Sequence, residues 1–287
     1  MSMQQAKIVR TRADLQREIS AVHKSGQRVG FVPTMGALHD GHISLVTKAR
    51  ENAEFVVASI FVNPTQFAPG EDLDRYPRNE EGDVARLSGA GCHLVYCPSV
   101  EEMYPEGSLT NVRVEEMSDL LDGIYRPHFF YGVATVVARL FIHVRPDVAV
   151  FGEKDYQQLQ IIKRMVRDLG FAIEIIGGTT WRDEDGLAQS SRNAYLSEEE
   201  RRRANGIFSA LHRAACRLRI GCPVEDAMKE ARGTILAAGF SKLDYVSAVD
   251  PATLQDLPDG PLQAGQDCRL LAAAWMGSTR LIDNIGV

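Results

Sequence analysis

No stretch of this chain approaches the roughly 20 consecutive apolar residues that a membrane-spanning helix needs. The opening residues, MSMQQAKIVRTRADLQ, hold no apolar core of the kind that drives secretion. Cysteine is sparse. The five present (Cys92, Cys97, Cys216, Cys222 and Cys268) are odd in number and never spaced CxxC, which argues against a disulfide framework and for a reduced, intracellular chain. A basic excess is lacking too. Lys and Arg number 32 against 38 Asp and Glu, a formal net charge of −6, which argues against a general nucleic-acid surface while leaving room for a local basic pocket. There is no internal repeat and no low-complexity tract. These absences lead to the expectation of a cytoplasmic protein with neither membrane nor nucleic acid as partner.

What is present is ordinary globular material. The chain has 287 residues, 45% of them hydrophobic, enough for one large or two medium domains with a sizeable core. Short β-branched runs read as buried strands: Val29–Val32, Phe55–Val62, His93–Cys97, Val148–Phe151 and Ile173–Ile176. Amphipathic stretches fall between them, at about 42–53, 80–88, 131–144 and 156–169. Strands alternating with helices predict an α/β fold, a Rossmann-like parallel sheet with helices on both faces, whose ligands sit beyond the carboxyl ends of the strands.

The pattern changes after Gly177. A polar loop runs to Asn193, and Ser197 with Glu200 forms a capping box that opens a helix expected to reach about Ile220. Pro223 starts another, to Ala238. Leu243–Val249, Arg269–Trp275 and Thr279–Ile282 read as strands of a small antiparallel sheet, with Met228 and Leu236 as core. The expected division is residues 1–180 as the Rossmann-like domain and 181–287 as a smaller α+β C-terminal domain.

The segment VGFVPTMGALHDGH is the most informative. It reads as a strand, a tight Pro/Gly turn and a helix start bearing His39 and His42, three residues apart and so on one helical face. Free backbone N–H groups and the helix dipole favour an anion there, and Gly36 and Gly41 let a phosphate approach the backbone. Nucleotide triphosphate handling is the chemistry indicated; a surface turn or a pair of metal ligands are the other readings. Three more segments follow strands or join domains. In Asn63-Pro64-Thr65-Gln66 the amides offer both donors and acceptors to a small polar substrate. In FGEKDYQQ, Lys154 offers a point charge to a phosphate, Asp155 a ligand to a divalent cation, and Gln158 lies one turn on. In Gln189-Ser190-Ser191-Arg192-Asn193, two hydroxyls and a guanidinium make a possible phosphate clamp. The charged segment with Asp72, Asp74, Arg75, Tyr76, Arg78 and Asp83 could cover a site. His23, His93, His143 and His212 read as structural or surface positions.

Taken in order, PTMGALHDGH, SIFVNPTQF, RYPR, RPHFFYGV, RPDVAVFGEKDYQQL and DGLAQSSRNAYL resemble the pantothenate synthetase (pantoate–β-alanine ligase) family over nearly the whole chain. Its HxGH element places that family among the nucleotidyltransferases. The resemblance implies an AMP-forming ligase that joins (R)-pantoate to β-alanine through a pantoyl adenylate, a step toward coenzyme A precursors, with ATP as substrate and Mg²⁺ beside the triphosphate. It also implies a homodimer and a C-terminal domain that closes over the site. By the same resemblance, His39 and His42 contact the triphosphate, with His42 the proton donor, Lys154 stabilises the β- and γ-phosphates, and Ser190, Ser191 and Arg192 close over them. Met35, Gly36, Ala37, Leu38, Asp40, Gly41, Gly152, Glu153, Asp155, Trp181 and Gln189 complete the nucleotide side. Gln66 and Gln158 hold pantoate, with Asn63, Tyr76, Arg126, Val136 and Val137 beside them. Asp155 and Asp83 are the metal candidates, the ion being held mostly by phosphate. Three positions depart from the family pattern: Gln189 where Met is expected, Phe129 where His is common, and Trp181 where a smaller aliphatic residue is usual. Two other readings stand beside the ligase: a nucleotidyltransferase of the same fold with another acceptor, and a catalytically silent binding protein.

Overall fold

The computed structural model describes residues 5–287. Its strands and helices, in chain order, are β1 Lys7–Val9, α1 Arg12–Lys24, β2 Val29–Thr34, α2 Asp40–Arg50, β3 Phe55–Ile60, α3 Glu80–Gly89, β4 Leu94–Tyr96, α4 Val100–Met103, α5 Asp122–Tyr125, α6 Phe129–Val144, β5 Val148–Gly152, α7 Tyr156–Leu169, β6 Glu174–Gly178, α8 Glu198–Ala204, α9 Gly206–Arg219, α10 Val224–Ala237, β7 Lys242–Val249, β8 Arg269–Met276 and β9 Thr279–Gly286. Contacts divide the chain into two units. Of the described residues, one holds 5–118, 126–153 and 158–179; the other holds 119–125, 154–157 and 180–287.

The first unit is built on a six-stranded sheet of order β1-β4-β3-β2-β5-β6, parallel throughout. Successive side chains of a strand point to opposite faces, so both faces of this sheet must be covered. Val32, Val56, Ala58, Val95, Val148 and Val150 form one buried cluster with Leu45, Val46 and Ala49 of α2 and Val84 and Leu87 of α3. On alternate positions, Phe31 and Phe151 pack edge-on against Phe141 of α6, with ring centroids 6.5 and 6.2 Å away. That double burial is why these strands read as unbroken apolar runs. β2 runs on through Pro33, a residue that gives the ladder no N–H; it pairs with β5 only at Gly30 and Phe31, so Pro33 lies where β3 is its sole partner. Strand order reverses between β2 and β5. In open α/β sheets the crevice for a ligand opens at that point, beyond the carboxyl ends of the two strands. The segments Met35–His42 and Gly152–Glu153 emerge there.

Buried on α6, His143 meets the hydroxyl of Tyr96 of β4 at 3.1 Å. Burial, reinforced by Arg12, pushes its imidazole down to about 4. From its ordinary value near 6.5 down to about 4, the folded chain therefore binds fewer protons than the unfolded one, and stability falls as pH drops through that window. Urea melts at pH 7 and pH 5 should differ by about 1–2 kcal/mol more in the wild type than in His143→Gln. Equal differences would remove this imidazole from the acid response.

The second unit carries a three-stranded antiparallel sheet, β7-β8-β9. Ile207, Leu211, Ala214 and Leu218 of α9, with Ala227, Met228, Ala231 and Ile235 of α10, cover alternate residues of the sheet, Leu270, Ala272 and Ala274 among them. The capping box at Ser197 and Glu200 forms as expected. The single helix expected to follow it is broken at Asn205 into α8 and α9. Asn and Gly are both weak helix formers, and a Cβ on Gly206 would lie 2.4 Å from that of Ala238, so the break joins a local turn signal to a close approach that only glycine allows. Leu236, expected in the core, is 49% exposed; Ile235 takes the inward place. Arg182 meets the buried Asp283 with a two-pronged bridge at 2.7 and 2.8 Å. Asp283→Ala would take the counter-charge from that half-buried guanidinium and leave it only the Gly186 and Asn284 carbonyls, and should cost about 3–5 kcal/mol in a denaturant titration; a loss below about 1 kcal/mol would contradict a buried pair.

Candidate active site

The turn after β2 is shaped by two bonds of one hydroxyl. The Thr34 hydroxyl donates to the Ser59 carbonyl at 2.7 Å and accepts the Gly36 N–H at 3.2 Å. Gly36 and Ala37 both take left-handed backbone, φ 83° and 52°. A side chain on Gly36 would meet Asp83 Oδ2 at 2.9 Å, so glycine is required for space as well as for φ. α2 then starts at Asp40, two residues earlier than expected, which makes His39 its N-cap and His42 its third residue. The two rings lie 4.1 Å apart between centroids. The His39 backbone N–H donates to His42 Nδ1 at 3.3 Å. In this arrangement Nδ1 is an acceptor, so the ring proton is assigned to Nε2. His42 thus presents an N–H beside the N–H groups of a helix start, a setting that attracts phosphate. Asp40, expected on the nucleotide side, is ion-paired with Arg86 of α3 at 2.6 Å.

Asp83 stands otherwise than expected. It is buried on α3, and its two oxygens accept the backbone N–H groups of Ala37 and Leu38, each at 2.8 Å. A carboxylate so engaged holds the loop and does not fit a metal ion.

Beyond β3, Asn63 is almost fully buried and organises the next turn. Its Oδ1 accepts from Tyr104 Oη at 2.8 Å and from the Thr65 hydroxyl at 3.0 Å. Its Nδ2 donates to Gln66 Oε1 and to the Gly132 carbonyl, both at 3.1 Å. Because Gln66 Oε1 is used in this way, its Nε2 is the end left to donate outward; it lies 2.9 Å from Met35 Sδ. Burial raises the Tyr104 hydroxyl's pKa above the usual phenol range, which keeps it a donor to Asn63. Arg126 is not open to a substrate carboxylate. It grips Glu71 through Nε at 2.9 Å and through its terminal amine at 2.6 Å, touches the Gln66 carbonyl at 3.3 Å, and lies 3.9 Å above the Phe129 ring. The departure at Phe129 therefore supplies a stacking platform, the kind of partner a guanidinium suits. Tyr76 is buried, edge-on to Phe67 at 6.0 Å. Val136 and Val137 are buried on α6 and Gln158 is half-buried on α7. No hydrogen bond joins the amides of Gln66 and Gln158 among the described residues.

In the second unit, Lys154 and Asp155 lie in the 3-10 turn Glu153–Asp155, with Lys154 Nζ 3.9 Å from Asp155 Oδ2. The Lys154 carbonyl accepts from Asn284 Nδ2 at 2.8 Å, and Asn284 is itself buried. Gln189 donates to Asp183 at 2.8 Å, and its backbone N–H bonds the Trp181 carbonyl at 2.9 Å. The Trp181 side chain is half exposed. Ser190 caps the turn Ser191–Tyr195, its Oγ accepting the Arg192 N–H at 3.3 Å. Tyr104, Glu71 and Asn284 escaped the sequence reading. Among the described residues, no cluster of three or more His, Cys, Asp or Glu side chains is placed to hold a metal. Burial raises Cys92 and Cys268 to about 11 and Cys97 to about 12, so these thiols are not nucleophiles near neutral pH.

The model of the family described as pantoate-beta-alanine ligase matches residues 7–286. This chain belongs to that family. It is 69% identical over 281 residues to a pantothenate synthetase of Hyphomonas neptunium, covering 98% of this chain and 96% of that one. It is 53% identical over 280 residues to the pantothenate synthetase of Caulobacter vibrioides, with 98% of each covered. The crystal structure of pantothenate synthetase from Thermus thermophilus superimposes with a TM-score of 0.91 at 49% identity, over 97% of this chain and 98% of that one. The Francisella tularensis pantoate-beta-alanine ligase, solved with beta-gamma ATP and beta-alanine, gives 0.81 at 34% identity over 98% and 97%. The parallel sheet with a small antiparallel unit is thus the fold of this family.

Proposed function

We infer that this protein condenses (R)-pantoate with β-alanine, using ATP, to give pantothenate, AMP and diphosphate through a pantoyl adenylate. The observation that carries the reading is the paired His39 and His42 at the start of α2, beside the point where strand order reverses, in a chain of this family. A carboxylate is a poor acyl donor because its oxygen leaves badly; adenylation makes AMP the leaving group. In the first step a pantoate carboxylate oxygen attacks the α-phosphorus and diphosphate departs, so the task is to stabilise charge growing on phosphate oxygens. His42 Nε2–H and the first N–H groups of α2 supply donors, and His39 lies against the same ring. Lys154 supplies a point charge, and Ser190, Ser191 and Arg192 further donors, to the β- and γ-phosphates. In the second step the β-alanine amine attacks the mixed anhydride, its C–N bond forms, the C–O bond to AMP breaks, and the amine gives up a proton. No protein nucleophile is needed.

Pantoate recognition falls to Gln66 and Gln158. The Nε2–H of Gln66, turned outward by Asn63, suits an oxygen acceptor, and the apolar surfaces of Val136 and Val137 suit geminal methyls. Asp155, with a carboxylate about half exposed, fits a Mg²⁺ whose other ligands are phosphate oxygens; that ion would neutralise charge on the triphosphate. The test is product formation. AMP and pantothenate should appear in equal amounts only when ATP, pantoate and β-alanine are all present. AMP formation indifferent to pantoate would overturn the reading and point to another acceptor. The homodimer and a cytoplasmic location belong to the same proposal: sedimentation should give twice the chain mass. No helix among the described residues is long and apolar enough to cross a membrane.

A further inference from the structure

Two consecutive residues with positive φ, Gly36 and Ala37, turn successive N–H groups toward one point. Such concavities bind anions, phosphates included. Here the place is filled by the chain's own Asp83, which takes the Ala37 and Leu38 N–H groups at 2.8 Å each from 46 and 45 residues away. Ala37 carries a steric penalty in the left-handed region that glycine would escape, so something must hold it there. His39 follows Leu38 directly, and its N–H in turn fixes the His42 ring.

We propose that Asp83 is a positioning residue for adenylation: its carboxylate, by taking the Ala37 and Leu38 N–H groups, locks the Gly36–Ala37 turn in left-handed backbone and so sets the aim of His39 and His42. This rests on the reading that the two imidazoles handle the triphosphate. By occupying the turn, Asp83 also denies the Ala37 and Leu38 amides to the substrate, so the phosphates are directed onward to the first turn of α2 and to the rings. The carboxylate touches neither substrate nor metal; it works through the backbone.

Asp83→Asn keeps the shape but turns an amide N–H₂ toward one of the two N–H donors, breaking half of the clamp. Pantoate-dependent exchange of diphosphate into ATP should fall about 10- to 10²-fold, the cost of a small misplacement at the reacting centre, while KM for β-alanine holds. Ala37→Gly alone slows exchange by loosening the turn. In the Asp83→Asn background it should instead recover about threefold or more, because glycine adopts the turn unaided; such non-additivity is the mark of coupled sites. A merely structural Asp83 would lower both half-reactions alike, in step with the folded fraction, and the two substitutions would add; that result overturns the proposal. Should Asp83→Asn not fold, hydrogen exchange of wild-type protein replaces it. Slow exchange at both the Ala37 and Leu38 amides supports the clamp, and exchange at open-loop rates contradicts it. His42→Ala separates the two readings: unchanged exchange activity in that variant would remove the phosphate role of the histidines, while protected Ala37 and Leu38 amides would still report the clamp.

Discussion

Replacing His42 by alanine should slow diphosphate release from ATP and pantoate by about 10²–10³-fold, the usual effect of removing one donor to a charge that grows in the transition state. The ring has two duties that substitution can separate. Its Nδ1 accepts the His39 N–H at 3.3 Å, which is a structural, helix-capping duty. Its Nε2–H carries the chemical one. His42→Asn offers an oxygen near the Nδ1 position and should keep the cap while losing the rate. His42→Gln extends a donor toward the Nε2 position and should keep more of the rate than alanine does. Single-turnover measurement of diphosphate release, with thermal melts alongside, reads both. Equal rates for asparagine and glutamine variants, both near wild type, would contradict the donor role.

A methyl group at Gly132 should have the second large effect. Gly132 sits in the first turns of α6, and an added Cβ would lie 2.5 Å from the Thr65 carbonyl oxygen and 2.7 Å from the Gln66 N. Both are backbone atoms, so no rotamer change relieves the contact. The Asn63–Gln66 turn must move, and with it the bond from Asn63 Nδ2 to the Gly132 carbonyl. Gly132→Ala should cost about 1–3 kcal/mol of stability by overpacking and raise KM for pantoate more than KM for ATP, because it shifts Gln66 and leaves the His39–His42 turn in place. A melt and the two KM values check this; an undisturbed KM for pantoate would separate Gln66 from that substrate.

Much of the sheet was legible because a parallel strand buried on both faces writes itself as a run of apolar residues, and β2, β3 and β5 do so. β1 is three residues long with only Val9 buried, too little to read. α1 buries Leu15, Ile19 and Val22 among charged neighbours; its spacing is helical but its apolar stripe is thin. The break between α8 and α9 falls at Asn205-Gly206, a local turn signal that the expected single helix ran through, and the close approach of Gly206 to Ala238 is visible only in three dimensions. The candidate site divides in the same way. His39 and His42 declare themselves by spacing within one turn. Asp83, Tyr104 and Asn284 act on residues 46, 41 and 130 positions away, and nothing near them in sequence marks what they hold. Arg126 stands out in sequence as a charge beside an aromatic run, but its partner Glu71, 55 positions away, could be found only in three dimensions.

The central claim is that pantoate is activated before β-alanine takes part. It is tested most directly by exchange of labelled diphosphate into ATP, with pantoate present and β-alanine left out. The account predicts exchange that depends on pantoate and that His42→Ala or Lys154→Ala nearly abolishes. Exchange that requires β-alanine, or that proceeds equally without pantoate, would contradict it.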